Sequence, residues 1–320
     1  MIVAIAALGD NYRTMPFRPT LRQLEYIIAI ADCGHFGMAA KRCHVSQPTL
    51  SVQVALVERG LGVQLFERTP TRVLMTPTGQ TFVHHARLAI ASMEDLLDAV
   101  ADDAGSLGGL IKLGTPPSFG PYFLPTFLPP IHREFPALKI YIVEDRPAAI
   151  ETAVNEGVLD CGLGPESTEA GLSFVRIGTE RLFLGVPADH KLASGRSVNA
   201  KALRGERLLA LGSGNRLLEN VRHLAQASGA TVVDDYEGTS LDAIRQMVSI
   251  GMGLSVFPEL YARSEFRNAD DVVLLEIDGW IETRSFGLYF REATGRRRHF
   301  ETLAGEARRA ATALRVDGGC

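Results

Sequence analysis

Between Ala39 and Glu58 one helical stretch stops and another starts within about four residues, so the chain must form two short helices set at an angle. The small pair Ala39-Ala40 permits close helix approach in the first stretch, residues 37–43, and His44-Val45 makes the turn. Ser46 is a favourable N-cap for a helix running to about Glu58. Pro48 falls in its first turn, where no intrahelical N–H bond is lost. Ahead of both, Leu21, Leu24, Ile27, Ile28 and Ala31 recur at helical spacing and stop near Cys33-Gly34. Two short helices around a tight turn, the second opening on polar residues, make the helix-turn-helix pattern.

That pattern has two readings, an ordinary capped helix with a polar face or a recognition helix for double-stranded DNA. In the second, Gln47 pairs with adenine, Pro48 and the Thr49 methyl meet thymine methyls, Ser46 and Ser51 hold phosphate, and Gln53 reaches the groove. Residues 67–76 favour DNA, because they read as two short strands around a basic turn. Such a wing carries Arg68 and Arg72 to the backbone or minor groove. Charge agrees. From Thr20 to Thr76, six basic residues (Arg22, Lys41, Arg42, Arg59, Arg68, Arg72) face four acidic ones (Glu25, Asp32, Glu58, Glu67), a net +2 on a chain of net charge −4.

From Pro77 to Asp103 the pattern is one long helix. Phe82, Ala86, Ala89, Met93, Leu96 and Val100 alternate in steps of four and three, the spacing of a coiled-coil seam. The alternatives are packing on the helix's own domain and dimerisation, and the small Ala86 and Ala89 favour a close partner helix. Residues 104–109, rich in glycine, end the helix as a hinge.

Beyond Leu110, strand-like stretches (110–114, 139–143, 160–163, 182–186, 208–211, 254–257, 285–290) alternate with helix-like ones (122–135, 148–156, 217–228, 240–250, 297–314). This is an α/β pattern with largely parallel sheets expected. Two crossings between halves are expected, near Glu180 and near Arg284. In such folds ligands sit at the carboxyl ends of strands, here residues 115–118, 145–147, 212–216 and 238–240. Ser118, Arg146, Pro147, Asn215, Arg216, Thr239 and Ser240 are the candidate effector-binding residues, with Arg216 the charged anchor and Arg146 second. Each also reads as a cap or loop residue, Ser240 above all.

Composition narrows the function classes. The 320 residues are 46% hydrophobic and 22% charged, enough for large cores, and no apolar run reaches the roughly 18 residues of a membrane span. A cytoplasmic protein with no membrane association is expected. Cys33, Cys43, Cys161 and Cys320 show neither a disulfide framework nor zinc spacing, and no cofactor or metal is indicated. Gly212-Ser213-Gly214 lacks the rest of a nucleotide-binding motif, so an enzyme is disfavoured, as is an exported solute-binding protein. His84-His85 reads as solvated helix surface.

The stretch from Leu21 to Gly79, with AA…VSQPTLS, LGVQLFER and the T-x-x-G entry to the long helix, resembles the head of LysR-type transcriptional regulators. The likeness continues to about Arg315. It implies a fold of α plus α/β: a winged helix-turn-helix, a linker helix and a two-subdomain effector domain hinged like a periplasmic binding protein. The expected domains are an unstructured extension (1–19, with Met15 an alternative start), the head (20–77), the linker helix (78–107) and the effector domain (108–315). Subdomain I takes 108–180 and 285–315, subdomain II 181–284. A homodimer through the linker helix, a homotetramer, and RNA polymerase for an activator are the implied protein partners.

Within that family the chain is most similar to the peroxide-sensing OxyR branch, through LEYIIAIADCGHF, KRCHVSQPTLS, GPYFLP, LDC and EGTSLDAIRQMV. The resemblance places that branch's two redox cysteines at Arg216 and Ala225, its pocket histidine at Asn215 and two pocket threonines at Ser118 and Pro147. A thiol must become thiolate to attack peroxide, and neither Arg216 nor Ala225 supplies one, so the scaffold is expected to be kept without that branch's sensing chemistry. A small-molecule effector, an organic anion held by Arg216 and Ser118, is the expectation. The alternatives are an oxidative-stress regulator using another thiol and a constitutive regulator.

Overall fold

The computed structural model describes residues 17–68, 73–101, 107–233, 236, 238, 240–267, 270–280 and 282–315. Its contacts divide it at Leu97/Asp98 into two compact units.

The first unit begins with α1 (Leu21–Cys33), α2 (Phe36–Arg42) and α3 (Gln47–Leu61). Local signals fix their ends. Thr20 and Gln23 close α1 with a reciprocal capping box, and Gly34 ends it at φ 60°, a left-handed conformation that costs glycine little. His35 caps α2 through Nδ1, which accepts from the Gly37 amide at 3.0 Å. His44, also left-handed at φ 56°, makes the turn into α3. Strands β1 (Phe66–Arg68) and β2 (Val73–Met75) pair antiparallel as the wing, with Glu67 opposite Leu74. Tyr26, Ile27, Ile30, Phe36, Leu50, Val54, Val57, Phe66 and Val83 form the core. Phe17–Pro19, expected within an unstructured extension, belong to the head instead. The Phe17 ring lies so closely over Gly60 that a Cβ there would overlap it.

Helix α4 (Pro77–Ala101) spans about 37 Å at helical rise. Its expected seam divides in two. Phe82 packs on the head core beside Val83, and Ala86 is buried, so the first half serves the helix's own domain. The reason is proximity: the first turn of α4 crosses Leu65 closely enough that a side chain at Gly79 would strike its carbonyl. Ala89, Met93 and Leu96 remain exposed, and the Val100 side chain lies outside the description.

The second unit opens with β3 (Gly109–Thr115), α5 (Gly120–Glu134), β4 (Leu138–Glu144), α6 (Pro147–Asn155) and β5 (Cys161–Pro165). Then come β6 (Leu172–Pro187), β7 (Ser197–Asn199), β8 (Arg207–Leu208), α7 (Arg216–Ser228), β9 (Thr231–Val232), α8 (Leu241–Ser249) and β10 (Ser255–Pro258). The chain finishes with α9 (Glu259–Glu265), β11 (Val272–Asp278), β12 (Thr283–Arg291) and α10 (Arg297–Ala313). Strand order is β4-β3-β5-β12-β6-β11-β7, with β10 also on β6.

Among the described residues parallel ladders join β3 with β4 and β5, β7 with β11, and β8 with β9, and single parallel bridges join Leu208 to Leu254 and Leu211 to Gly238. The largely parallel expectation is therefore corrected to a mixed sheet. Its physical cause is the route of the chain: β6 leaves the first half and β12 returns to it, so the two pair antiparallel from Thr283–Arg181 to Arg291–Leu172. Two principal cores flank that ribbon. Ile177 and Phe286 belong to one, with Ile111, Phe123 and Leu303; Leu182 and Leu184 belong to the other, with Leu208, Val221, Ile244 and Tyr261. The ribbon changes core at Glu180 and Arg284, which lie opposite each other.

Candidate nucleic-acid interface and ligand cleft

The start of α3 presents four consecutive exposed residues, Ser46, Gln47, Pro48 and Thr49, immediately before the buried Leu50. Ser46 Oγ accepts from the Thr49 amide at 3.2 Å and shares a 2.7 Å hydrogen bond with the Thr49 hydroxyl. This orders both side chains at the helix end. The Gln47 amide oxygen sits near Gly37 on α2. Ser51 is half-buried, and Val52 and Leu56 continue the exposed face with apolar surface.

Gln53 lies elsewhere. It is half-buried, and its Oε1 accepts from Gln23 Nε2 at 3.0 Å. Gln23 meanwhile accepts from the Thr20 amide, so one side chain caps α1 and braces α3. Gln53, expected to reach the groove, is thus held by an internal tie. Arg68 ends β1, and Arg72 lies outside the described residues.

Three arrangements that the sequence reading missed hold this surface. Glu58 Oε1 accepts from the amides of Leu65 and Phe66 at 2.8 and 3.2 Å, fastening the end of α3 to the wing. Arg22 donates to the Cys43 carbonyl at 2.9 Å, pinning the turn. Asp32 on α1 takes Arg42 from α2 at 2.8 Å and Arg87 from α4, so the long helix is ion-paired to the head. An exposed acidic residue ten positions from its partner carries no local sequence signal.

In the second unit the charged candidates are already engaged. Arg216, the first residue of α7, donates to the Glu151 carboxylate of α6 at 3.0 and 3.3 Å. The Glu151 side chain is only 6% exposed, so the carboxylate held by the expected anchor is the protein's own. Ser118 is buried; its carbonyl accepts from Arg284 Nη2 at 3.2 Å and its hydroxyl lies 3.5 Å from Nη1. Arg284 in turn pairs with Glu180 at 2.6 Å, both side chains being under 5% exposed. Glu180 also accepts from the Leu260 amide at 3.0 Å, which leaves this pair well satisfied inside the ribbon.

The remaining candidates serve the backbone. Exposed Arg146 precedes α6 and donates to the Ser213 carbonyl at 3.4 Å. Pro147 is buried as the first residue of that helix. Asn215 Nδ2 donates to the Gly212 carbonyl at 2.9 Å. Ser240 caps α8, its hydroxyl accepting from Ala243 at 3.1 Å, and Thr239 lies outside the described residues. Loop 212–216 thus meets α6 through Arg146, Ala148 and Arg216. Of the set expected to line one cleft, Arg146, Pro147, Asn215 and Arg216 lie on the two segments that meet there, whereas Ser118 is held by Arg284 and Ser240 caps α8.

Burial pushes the thiols of Cys43 and Cys161 upward, Cys161 being fully enclosed. Neither is held as a thiolate near neutral pH. Among the described residues no cluster of metal-binding side chains occurs, and no helix is long and apolar enough to cross a membrane.

Residues 21–80 match the family model described as bacterial regulatory helix-turn-helix protein, lysR family, and residues 104–312 match LysR substrate binding domain. The DNA-binding transcriptional dual regulator OxyR of Escherichia coli K12 is 36% identical over 301 residues, covering 93% of this chain and 96% of that one. A probable hydrogen peroxide-inducible genes activator of Mycobacterium leprae is 33% identical over 290 residues, 90% and 93% of the two chains. Among solved structures, a full-length cysteine-to-aspartate variant of Pseudomonas aeruginosa OxyR superposes with a TM-score of 0.76 at 31% identity, covering 91% and 95% of the chains.

Proposed function

The chain belongs to the LysR family of bacterial helix-turn-helix regulators, and we propose that it reads its promoter with the first turn of α3 and answers to a small molecule without a cysteine pair. It is a DNA-binding transcriptional regulator with an OxyR-like effector domain. The observation that carries the DNA reading is the exposed run Ser46–Thr49 at the start of a helix braced from three sides. Gln47, Pro48 and Thr49 read bases, Ser46 and Ser51 hold phosphate, and Arg68 and Arg72 bring the wing to the backbone or minor groove. Gln53 acts by positioning α3.

The exposed half of the α4 seam, with Leu96 55% exposed, supplies a dimer contact. A two-fold dimer places two heads on half-sites, and a pair of dimers makes a tetramer. The regulator works in the cytoplasm and, as an activator, meets RNA polymerase there.

Two features favour a bound signal over thiol oxidation. Arg216 and Ala225 stand where the resemblance puts the redox cysteines, and the Cys161 thiol is enclosed. An organic anion reaching Arg216, whose side chain is 36% exposed, adds to the ion pair with the buried Glu151 instead of replacing it, so binding bears on the α6–α7 contact. Peroxide treatment of the reduced chain, followed by thiol counting and footprinting, tests this. Unchanged thiols in the folded chain and an unchanged footprint are expected; an intramolecular disulfide that alters the footprint would overturn it.

A further inference from the structure

A cavity of about 380 Å³ lies between α7 and the chain around β9, sharing only the backbone segment Gly212-Ser213 with the cleft loop just described. Ala210, Leu211 and Val233 form its buried apolar floor. Leu218 and Tyr236 wall it, and Arg222 stands at its rim. None of Ser118, Arg146, Pro147, Asn215, Arg216 or Ser240 lines it.

Leu218 and Arg222 are one helical turn apart on α7, so an apolar wall carries a guanidinium directly above it. That cation differs from Arg216 and Arg284. Arg216 and Arg284 pair with carboxylates that are 6% and 0% exposed, which cannot be given up without stranding a buried charge. Arg222 pairs with Glu219 at 2.8 Å, and both side chains are 57% exposed. Surface pairs of this kind contribute little, and water readily takes the partner's place. An incoming anion can therefore exchange with Glu219 where it cannot easily exchange with Glu151.

We propose that this cavity binds a small monocarboxylate with an aromatic or alicyclic body, the ring against Leu211, Leu218 and Val233 and the carboxylate on Arg222. The volume falls at the low end of small-molecule sites, matching a ligand of roughly ten non-hydrogen atoms. Recognition is by one apolar face and one charge.

The full-length chain is titrated with benzoate, cyclohexanecarboxylate and uncharged benzamide by calorimetry and ligand-observed NMR. Saturable binding of both carboxylates is expected, with benzamide at least tenfold weaker. Leu218→Trp fills the cavity and Arg222→Glu reverses its charge at an exposed position; each should weaken both carboxylates at least tenfold. Promoter gel shifts without ligand should be unchanged, so failure of DNA binding is read separately. The proposal is overturned if neither carboxylate binds, if benzamide binds equally well, or if affinity survives Arg222→Glu. Should Leu218→Trp not fold, Arg222→Glu and the benzamide comparison still decide.

Discussion

At the scale of single residues, the buried pair Glu180–Arg284 shows what the second unit depends on. Removing one partner strands a charge inside the ribbon, whereas removing both does not. Glu180→Gln should lower unfolding stability by about 3–5 kcal/mol, and Glu180→Leu with Arg284→Met should recover most of that loss in urea titrations. Equal losses in the single and double variants would sink this account. The same scale explains what the sequence concealed. Glu180 and Arg284 could not be read from the sequence as partners, because they are 104 positions apart. Arg216 looked like a free anchor because Glu151 lies 65 positions away. Only the fold brings such charges together.

Elements were legible where their signals are local. Gly34 and Ser46 mark helix ends within a few residues of chain, and the structure uses each as a cap. The first half of β6 was missed because Arg176, Glu180 and Arg181 interrupt its apolar pattern, although Ile177 is a core residue. Helix α9 and strand β11 escaped for the related reason that short segments carry little periodicity. The double use of α4, packed on the head at Phe82 and exposed at the seam positions Ala89, Met93 and Leu96, could not be read from a repeat that continues through both. On the dimer reading, Leu96→Arg should weaken self-association at least tenfold in analytical ultracentrifugation without altering the circular dichroism of the head. An unchanged sedimentation profile would assign the contact elsewhere.

For the whole molecule, burial of acidic protons sets the alkaline limit. Cys161, Tyr122, Tyr261 and Tyr289 are all shifted upward, chiefly by burial, from ordinary values of 9.0 for the thiol and 10.0 for the phenols. Above pH 9 the unfolded chain releases these protons first, so it binds fewer than the folded chain and stability falls as pH rises. Each group contributes up to about 1.4 kcal/mol per pH unit, and that stability is fully present below pH 9. The urea midpoint should therefore drop between pH 8 and pH 10.5, and a flat profile would contradict the shifts. The central claim concerns the first unit, in the exposed turn Ser46–Thr49 that opens α3. Its most direct test is a quantitative footprint on the DNA upstream of the gene, at rising salt, comparing the natural chain with Gln47→Ala and Thr49→Ala together. Salt-sensitive protection of two half-sites is expected, weakened at least tenfold by the double variant while its fold is intact. Protection equal in both proteins, or none that responds to salt, would contradict the assignment of α3 as the reading helix.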